Sequence, residues 1–239
     1  DLMYETVQSI LAKSGHINHK YLKESESDKK AVIVVTANRG LAGGYNSNIT
    51  RMIIDEGFTK ENTVVYAVGK KGRELLERKG YEIKADYSEA INEPIYKDAK
   101  EICDDVLSAF ADGEVGEIYL AYTVFKNTVV HEPQLIRLLP VEADDAAHET
   151  DGSEALMTYE PSEEEALDMI IPKYVCSLVY GALIESVASE NGARMQAMDS
   201  ATSNAEEMIS TLSLKYNRAR QASITQELTE IIAGANAIE

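Results

Sequence analysis

Residues 173–237 contain no proline, and apolar side chains recur through them at helical spacing. In the middle of this stretch, eight seam residues follow one another at alternating steps of three and four residues. This is the heptad spacing of a left-handed coiled coil, in which a helix packs its seam against another helix. Many of these residues are small, so a partner helix can approach closely. The eight are Met195, Met198, Thr202, Ala205, Ile209, Leu212, Tyr216 and Ala219.

The length of this helix limits how it can pack. At 1.5 Å per residue, a helix over residues 172–237 is on the order of 100 Å long. An α/β unit of about 110 residues has a diameter of only roughly 35 Å. Most of the helix is therefore expected to project and to need another helix along its seam. Residues 1–14 carry a matching seam, and because the chain opens at Asp1 within it, we expect that an upstream part of this first helix is missing. The matching seam consists of Met3, Val7, Ile10 and Ser14.

Residues 31–140 alternate between strand-like and helix-like segments. The runs "AVIVVT" (31–36) and "TVVYAV" (63–68) are typical of strands buried on both faces. This alternation predicts right-handed crossovers and a mostly parallel sheet covered by helices. Pro133 predicts that the last strand lies at an edge of the sheet. Further strands are predicted at 81–87, 117–125 and 129–140, the last two joined by a tight connection.

An acidic segment separates the two parts of the chain. Residues 141–161 are rich in Asp and Glu, and no Lys or Arg occurs between Arg137 and Lys173. A cation site is one interpretation, but a solvated connection between two structural units is favoured. Ser162 is expected to cap the following helix, which Pro172 either kinks or restarts. The predicted domains are the end of a first coiled-coil helix (1–22), an α/β domain (31–140), the acidic linker (141–161) and a long C-terminal coiled-coil helix (162–239).

The composition excludes several classes of protein. A net charge of −18 and a pI near 4.6 argue against nucleic-acid binding, which needs a basic face. No continuous apolar run reaches the length of a membrane span, and the composition indicates a cytosolic protein. No nucleophile–base pair, metal cluster or pair of carboxylates stands out, so we expect no catalytic residue, metal or cofactor. Cysteines and histidines are scattered along the chain, at Cys103, Cys176, His16, His19, His131 and His148.

The stretch "TANRGLAGGYNSN" (36–48) has the appearance of a phosphate-binding loop. A P-loop needs Lys and Ser or Thr after its last glycine, but Tyr45 and Asn46 stand there. The glycine spacing of a dinucleotide-binding loop is also absent. The sequence therefore predicts a structural turn that lets the backbone pass close to another element, and the coiled coil is the expected neighbour. Its residues are Arg39, Gly40, Gly43 and Gly44, with Arg39 able to fix the turn through carbonyls or a carboxylate.

Two stretches carry a resemblance to a known family. "RGLAGGYNSN" (39–48) is similar to an Arg-Gly-Leu-Cys-Gly-Gly segment, and the tail from 188 to 238 is longer and more specific. Both resemble the gamma subunit of the F-type ATP synthase, the central shaft of that rotary enzyme. The resemblance covers essentially the whole chain, and family members have a further part of the N-terminal helix that this sequence lacks. Ala42 stands where many members have Cys, and Asn38 where many have Asp. The paired cysteines of light-regulated plastid members have no counterpart.

This resemblance implies a Rossmann-like, mostly parallel sheet domain and a long antiparallel coiled coil formed by the N- and C-terminal helices. It also implies a non-catalytic rotor inside a ring of alternating alpha and beta subunits, joined to the epsilon subunit and the c-ring. Proton-driven rotation of the c-ring would then change the conformation of three nucleotide sites in the alpha/beta ring. The expected location is the cytoplasmic face of a bacterial cell membrane, as a peripheral subunit without membrane insertion.

The resemblance also implies functional residues in the tail. Arg220 and Gln221, in "RARQA", match positions that hydrogen-bond a loop of a beta subunit. Thr225 and Glu227 match the same contact zone, and Arg218 is a further donor nearby. An apolar tip that turns in an apolar collar is implied for Ile231, Ile232 and Ile238. The alternative for the Arg-Gln pair is an ordinary solvated helix surface.

Two other classes of function fit parts of the sequence. The first is an α/β nucleotide- or ligand-binding domain with a coiled-coil dimerisation arm, which predicts a symmetric homodimer through residues 190–235. The second is a hydrolase in its own right, which predicts ATPase activity of the isolated chain. The rotor interpretation predicts neither property.

Overall fold

The computed structural model describes residues 19–22, 27–141 and 162–236. Several sequence predictions lie outside these ranges, namely most of the first coiled-coil helix, most of the acidic linker, and Ile238. The chain divides into two units, Asp1–Arg194 and Met195–Glu239. In the first unit, residues 19–22 form a turn in which the Leu22 N–H donates to the His19 carbonyl over 3.0 Å.

A five-stranded sheet forms the centre of the first unit. In space the strands run in the order β3-β2-β1-β4-β5, with β1 to β4 parallel and β5 antiparallel to β4. Pro133 lies in β5, at an edge of the sheet as predicted. The mostly parallel sheet is therefore confirmed. The strands are β1 (Lys30–Val35), β2 (Thr63–Val68), β3 (Glu82–Asp86), β4 (Glu117–Phe125) and β5 (His131–Leu139).

Four α-helices accompany the sheet within the described ranges. The predicted cap of the last helix is confirmed, because the Ser162 hydroxyl accepts a hydrogen bond from the Glu165 N–H over 3.2 Å. Pro172 lies inside this helix, which continues through it. The helices are α1 (Tyr45–Asp55), α2 (Lys70–Arg78), α3 (Tyr96–Ala111) and α4 (Glu163–Asn236), with a short 3₁₀-helix at Ser88–Ile91.

The sheet buries both of its faces, which explains why β1 reads as an unbroken apolar run. Val32 and Val34 pack on one side with α1 and α2, while Ile33 and Val35 pack on the other with α3 and α4. Burial of each such side chain stabilises the fold by about 1.5–3 kcal/mol. Helix α4 contributes seven buried residues to its side of the core: Leu167, Ile171, Val175, Cys176, Val179, Ala182 and Leu183.

Helix α4 also has the length and composition to cross a membrane, since one 18-residue window reaches a mean hydropathy of 1.5. A helix that supplies a protein core needs the same composition, and seven residues of α4 are buried against the sheet. Hydropathy therefore does not distinguish these two environments, and 39% of this window is buried inside the structure.

The second unit consists of the remaining part of α4. Every described residue from Met198 to Asn236 is exposed, although the heptad seam passes through them. Exposed leucine, isoleucine and methionine side chains in a regular stripe are typical of a surface that contacts another chain or segment. The described contacts within this part are local, such as the hydrogen bond from Gln226 Nε2 to Glu230 Oε1 over 3.0 Å.

Candidate functional site

The glycine-rich turn follows β1 and leads into α1. Leu41 and Gly43 both have positive φ angles, of 63° and 56°, and the Leu41 side chain is 79% exposed. The turn is held by Asn46, whose side-chain oxygen accepts from the Ala37 N–H over 2.8 Å. The Asn46 amide also donates to the Arg39 carbonyl over 3.4 Å. A short amide side chain that bonds nearby backbone is a common device in turns.

Sequence reasoning assigned this fixing role to Arg39. Within the ranges that the structure describes, the Arg39 guanidinium makes no hydrogen bond or ion pair, and its backbone carbonyl is the group that takes part. Gly40 has open space where a Cβ would stand, so the turn does not need a glycine there for steric reasons. Asn46 is the residue that sequence reasoning missed, and because its bond reaches back nine residues to Ala37, no local spacing signals it.

The turn packs against helix α4, as the sequence indicated. The Tyr45 hydroxyl donates to the Ser186 carbonyl over 3.1 Å. Tyr45 forms a small apolar cluster with Ala37 and Ala42, against which Ala193 packs. Burial raises the pKa of Tyr45, so this phenol stays protonated and remains a donor.

A polar crevice of about 600 Å³ lies beside the turn. Asn38 organises one wall, because its amide donates to the Ser88 carbonyl at 2.7 Å and to Asn92 Oδ1 at 2.9 Å. Its own oxygen accepts from the Lys70 N–H at 3.0 Å. Many members of the family that this chain resembles have Asp at this position. An Asp carboxylate has no N–H and could not donate these two hydrogen bonds. The crevice is lined by Asn38, Arg39, Glu89, Asn92, Glu190 and Arg194, among others.

The described residues contain no group of three or more His, Cys, Asp or Glu side chains that could hold a metal ion. The structure does bring together the two cysteines, which are far apart in sequence. Cys103 of α3 and Cys176 of α4 are both buried in the same core cluster, where they interact electrostatically. Burial raises the pKa of the Cys103 thiol, so the reactive thiolate is disfavoured.

The predicted contact residues of the tail lie in the exposed part of α4. Because successive residues turn by about 100° around a helix, they divide between two sides. Every one of them within the described ranges is exposed. Arg218, Gln221, Thr225 and Ile232 lie on one side, and Arg220, Glu227 and Ile231 lie on the other. The neighbouring residues Arg220 and Gln221 therefore point about 100° apart.

Comparison with known proteins decides the family. The family model described as ATP synthase matches residues 1–238. The ATP synthase gamma chain of Lachnoclostridium phytofermentans is 66% identical over 244 residues, which cover 100% of this chain and 84% of that protein. The chain belongs to the ATP synthase gamma chain family. Another relative, from Acetobacterium woodii, is named "ATP synthase gamma chain, sodium ion specific" and is 41% identical over 100% of this chain and 84% of that protein.

Solved structures agree with the gamma-chain fold. A chain of the Euglena gracilis mitochondrial ATP synthase, solved with OSCP, F1 and c-ring, matches with a TM-score of 0.65 and 18% identity. The match covers 99% of this chain and 86% of that one. The central stalk and c-ring structure from Tetrahymena thermophila matches with a TM-score of 0.60 and 24% identity, over 82% of this chain and 86% of that one.

A gamma chain is a rotor subunit of the ATP synthase rather than a catalytic subunit. It is part of the F1 complex, which is peripheral to the membrane. The exposed seam is therefore attributed to a rotor subunit. The alternative, a ligand-binding domain that carries a dimerisation arm, is not needed to explain it.

Proposed function

We propose that this gamma chain couples proton-driven rotation of the c-ring to conformational change at the nucleotide sites of the alpha/beta ring. The observation that supports this most is the two-part character of α4. Seven of its apolar residues are buried in the sheet unit, while every described residue from 198 onward is exposed. One continuous helix can therefore be held at one end and contact other chains along the rest.

The mechanism we infer is allostery by contact. Each angular position of an asymmetric helix favours the open or closed state of a different nucleotide site, because it contacts those two states unequally. The two sides of the tail differ in chemistry: Arg220 and Glu227 carry opposite charges on one side, while the other side combines the cation Arg218 with the neutral Gln221 and Thr225. Such a helix presents different contacts to each beta subunit as it turns.

The tip of the tail is proposed to act as a bearing. Ile231 and Ile232 are exposed and apolar, and they point about 100° apart. Apolar contacts are non-directional, so they hold a turning helix without preferring one angle. Ile238, the third predicted residue of this tip, lies outside the described residues.

The remaining assignments concern the sheet domain and the location of the complex. We propose that the domain at 31–140 joins the epsilon subunit and the c-ring, with 141–161 as a linker and 162–239 as the shaft helix. The complex would lie at the cytoplasmic face of the bacterial cell membrane. Protons are the proposed coupling ion. Because a relative 41% identical is named sodium ion specific, sodium is the second candidate, and ATP-driven uptake measured with and without sodium in membrane vesicles separates the two.

Assembly with purified alpha and beta subunits tests this function. We expect ATP hydrolysis to rise several-fold when the gamma chain is added, and the isolated chain to show none. Arg220→Ala and Gln221→Ala, made separately, should each weaken the stimulation because they remove charge-assisted or polar contacts worth about 1–3 kcal/mol. Lys215→Ala, an exposed change in the same helix, is the matched control. Stimulation that is equal in all variants would remove both residues from the contact zone, and no stimulation by the wild type would contradict the function.

A further inference from the structure

Helix α4 is held to the sheet unit by three specific contacts within seven residues. The Ser186 carbonyl accepts from the Tyr45 hydroxyl at 3.1 Å, and the Ser189 hydroxyl donates to the Thr123 carbonyl at 3.2 Å. Gly192 lies directly against His131. Ser186 and Ser189 are completely buried, so these contacts are shielded from water.

The contact at Gly192 depends on the absence of a side chain. A Cβ at this position would lie 2.6 Å from His131 Cε1 and 3.1 Å from Nε2. The His131 ring is backed by Phe125, whose ring centroid is 6.0 Å away. Glycine lowers helix propensity, and the close approach of the helix backbone to this ring gives the reason for a glycine here. The start of β5 and the helix are thus in direct contact.

These contacts come from separate parts of the sheet unit and surround part of the helix. Tyr45 belongs to α1, Thr123 to β4 and His131 to β5. Residues three apart on a helix are turned by about 60° from each other, so the three positions on α4 span roughly 120° of its circumference. The apolar core opposes large rotations of the helix, because they would expose buried side chains, but it is non-directional and does not select one angle within small rotations. Directional bonds and a steric contact resist such small rotations strongly.

We propose that these three contacts form a rotational lock, which fixes the angle of α4 about its own axis relative to the sheet. The lock consists of Ser186, Ser189 and Gly192 with their partners Tyr45, Thr123 and His131. The lock prevents the helix from rotating about its own axis against the sheet when torque passes between the sheet unit and the rest of α4. These are positioning residues, and the inference rests on the proposed rotor function. Apolar burial keeps the helix against the sheet and limits large rotations, whereas the lock fixes its angle within that limit.

The test uses the complete ATP synthase in membrane vesicles, with ATP hydrolysis and ion uptake measured in the same sample. The variants are Gly192→Ala, Ser189→Ala and Tyr45→Phe, separately and combined. Gly181→Ala and Ser177→Ala are matched controls, because both residues are exposed on α4 and a Cβ at Gly181 meets nothing within 4 Å. We expect the combined variant to lose at least half of the ions moved per ATP, with a loss that grows as the opposing ion gradient is raised.

A merely structural role gives a different result. Weaker folding lowers the thermal unfolding temperature and reduces hydrolysis and ion uptake together, leaving their ratio unchanged, and this outcome would overturn the lock. A ratio in the variants equal to that of the controls at every gradient would overturn it as well. Tyr45→Phe removes only one hydroxyl and therefore keeps the test valid if Gly192→Ala fails to assemble. Failure of the rotor function itself is distinguished by a wild-type complex that moves no ions.

Discussion

Gly69 lies so close to Thr36 that a Cβ at position 69 would stand 2.1 Å from the Thr36 carbonyl oxygen. Gly72 is equally restricted, since a Cβ there would lie 2.5 Å from Thr36 Oγ1. The same hydroxyl accepts from the Gly72 N–H at 2.9 Å and donates to the Gly69 carbonyl at 3.2 Å. The end of β1 and the start of α2 are therefore joined by contacts of the Thr36 carbonyl and hydroxyl that leave no room for side chains at positions 69 and 72.

The first prediction concerns this junction. Gly69→Ala should lower the free energy of unfolding by at least about 3 kcal/mol, because it adds both a backbone clash and a strained positive φ angle. Gly57 also has a positive φ but open space around it, so Gly57→Ala should cost only about 1–2 kcal/mol. Urea unfolding followed by circular dichroism measures both values. Equal losses in the two variants would contradict the role of the Thr36 contact.

The second prediction concerns the departure from the family at Asn38. Asn38→Asp removes the donor to Ser88 and Asn92 and sets a carboxylate against two acceptors. We expect a loss of about 1–3 kcal/mol in unfolding free energy at pH 7. The loss should shrink at low pH, where a protonated Asp can donate again. Urea titrations at pH 7 and pH 4 provide the measurement, and a loss independent of pH would show that the amide donor is unimportant.

A third prediction follows from the contact between the turn at 19–22 and α4. The hydrogen bond from Lys20 Nζ to Asp168 Oδ1, at 2.8 Å, holds the pKa of Asp168 below its ordinary value of 3.8, although partial burial opposes this. His19 Nε2 lies 3.2 Å from the same oxygen and acts in the same direction.

Because its folded pKa is depressed, Asp168 stabilises the protein fully above pH 3.8, and this contribution is lost as the pH falls through the folded pKa. Wild type should therefore be more stable than Asp168→Asn at pH 6, and the difference should shrink toward pH 3. Urea midpoints at the two values measure it. Asp199→Asn, an exposed change on the same helix, is the control, and a difference that grows on acidification would reverse the assignment.

The fourth prediction concerns the buried thiols. Cys103 and Cys176 should react with a thiol reagent at least about 100-fold more slowly in the native protein than in urea, since burial blocks access and disfavours the thiolate. Ser177→Cys, next to Cys176 but exposed on α4, should add one fast-reacting thiol. Rapid modification of two thiols in the native wild type would show that this helix interface opens readily.

The elements that sequence alone could predict are those with strong local patterns. The apolar run of β1 predicted a strand buried on both faces, and the proline in β5 predicted the edge strand. Ser162 was predicted to cap α4, and it does. The contacts that sequence could not predict join residues far apart in the chain. Arg39 has more hydrogen-bonding groups than Asn46, yet only Asn46 lies in the right place to hold the turn.

Distance along the chain also explains why other contacts were not predicted from the sequence. Gly69 and Gly72 attract no attention in the sequence, because their restriction comes from Thr36, which is more than thirty residues away. Cys103 and Cys176 meet only after α3 and α4 pack on one face of the sheet. The tail contacts Arg218, Arg220, Gln221, Thr225 and Glu227 stay predictions, since a helix alone gives their sides and exposure but not their partners.

Rotation of single complexes tests the central claim most directly. The alpha/beta ring is fixed to a surface, and a particle is attached to the sheet unit of the gamma chain through an exposed introduced cysteine. With ATP present, the particle should turn in one direction with three pauses in each revolution, one for each nucleotide site. A particle that stays still, or only fluctuates without a direction, while the same complexes hydrolyse ATP would contradict the account of this chain as a rotor.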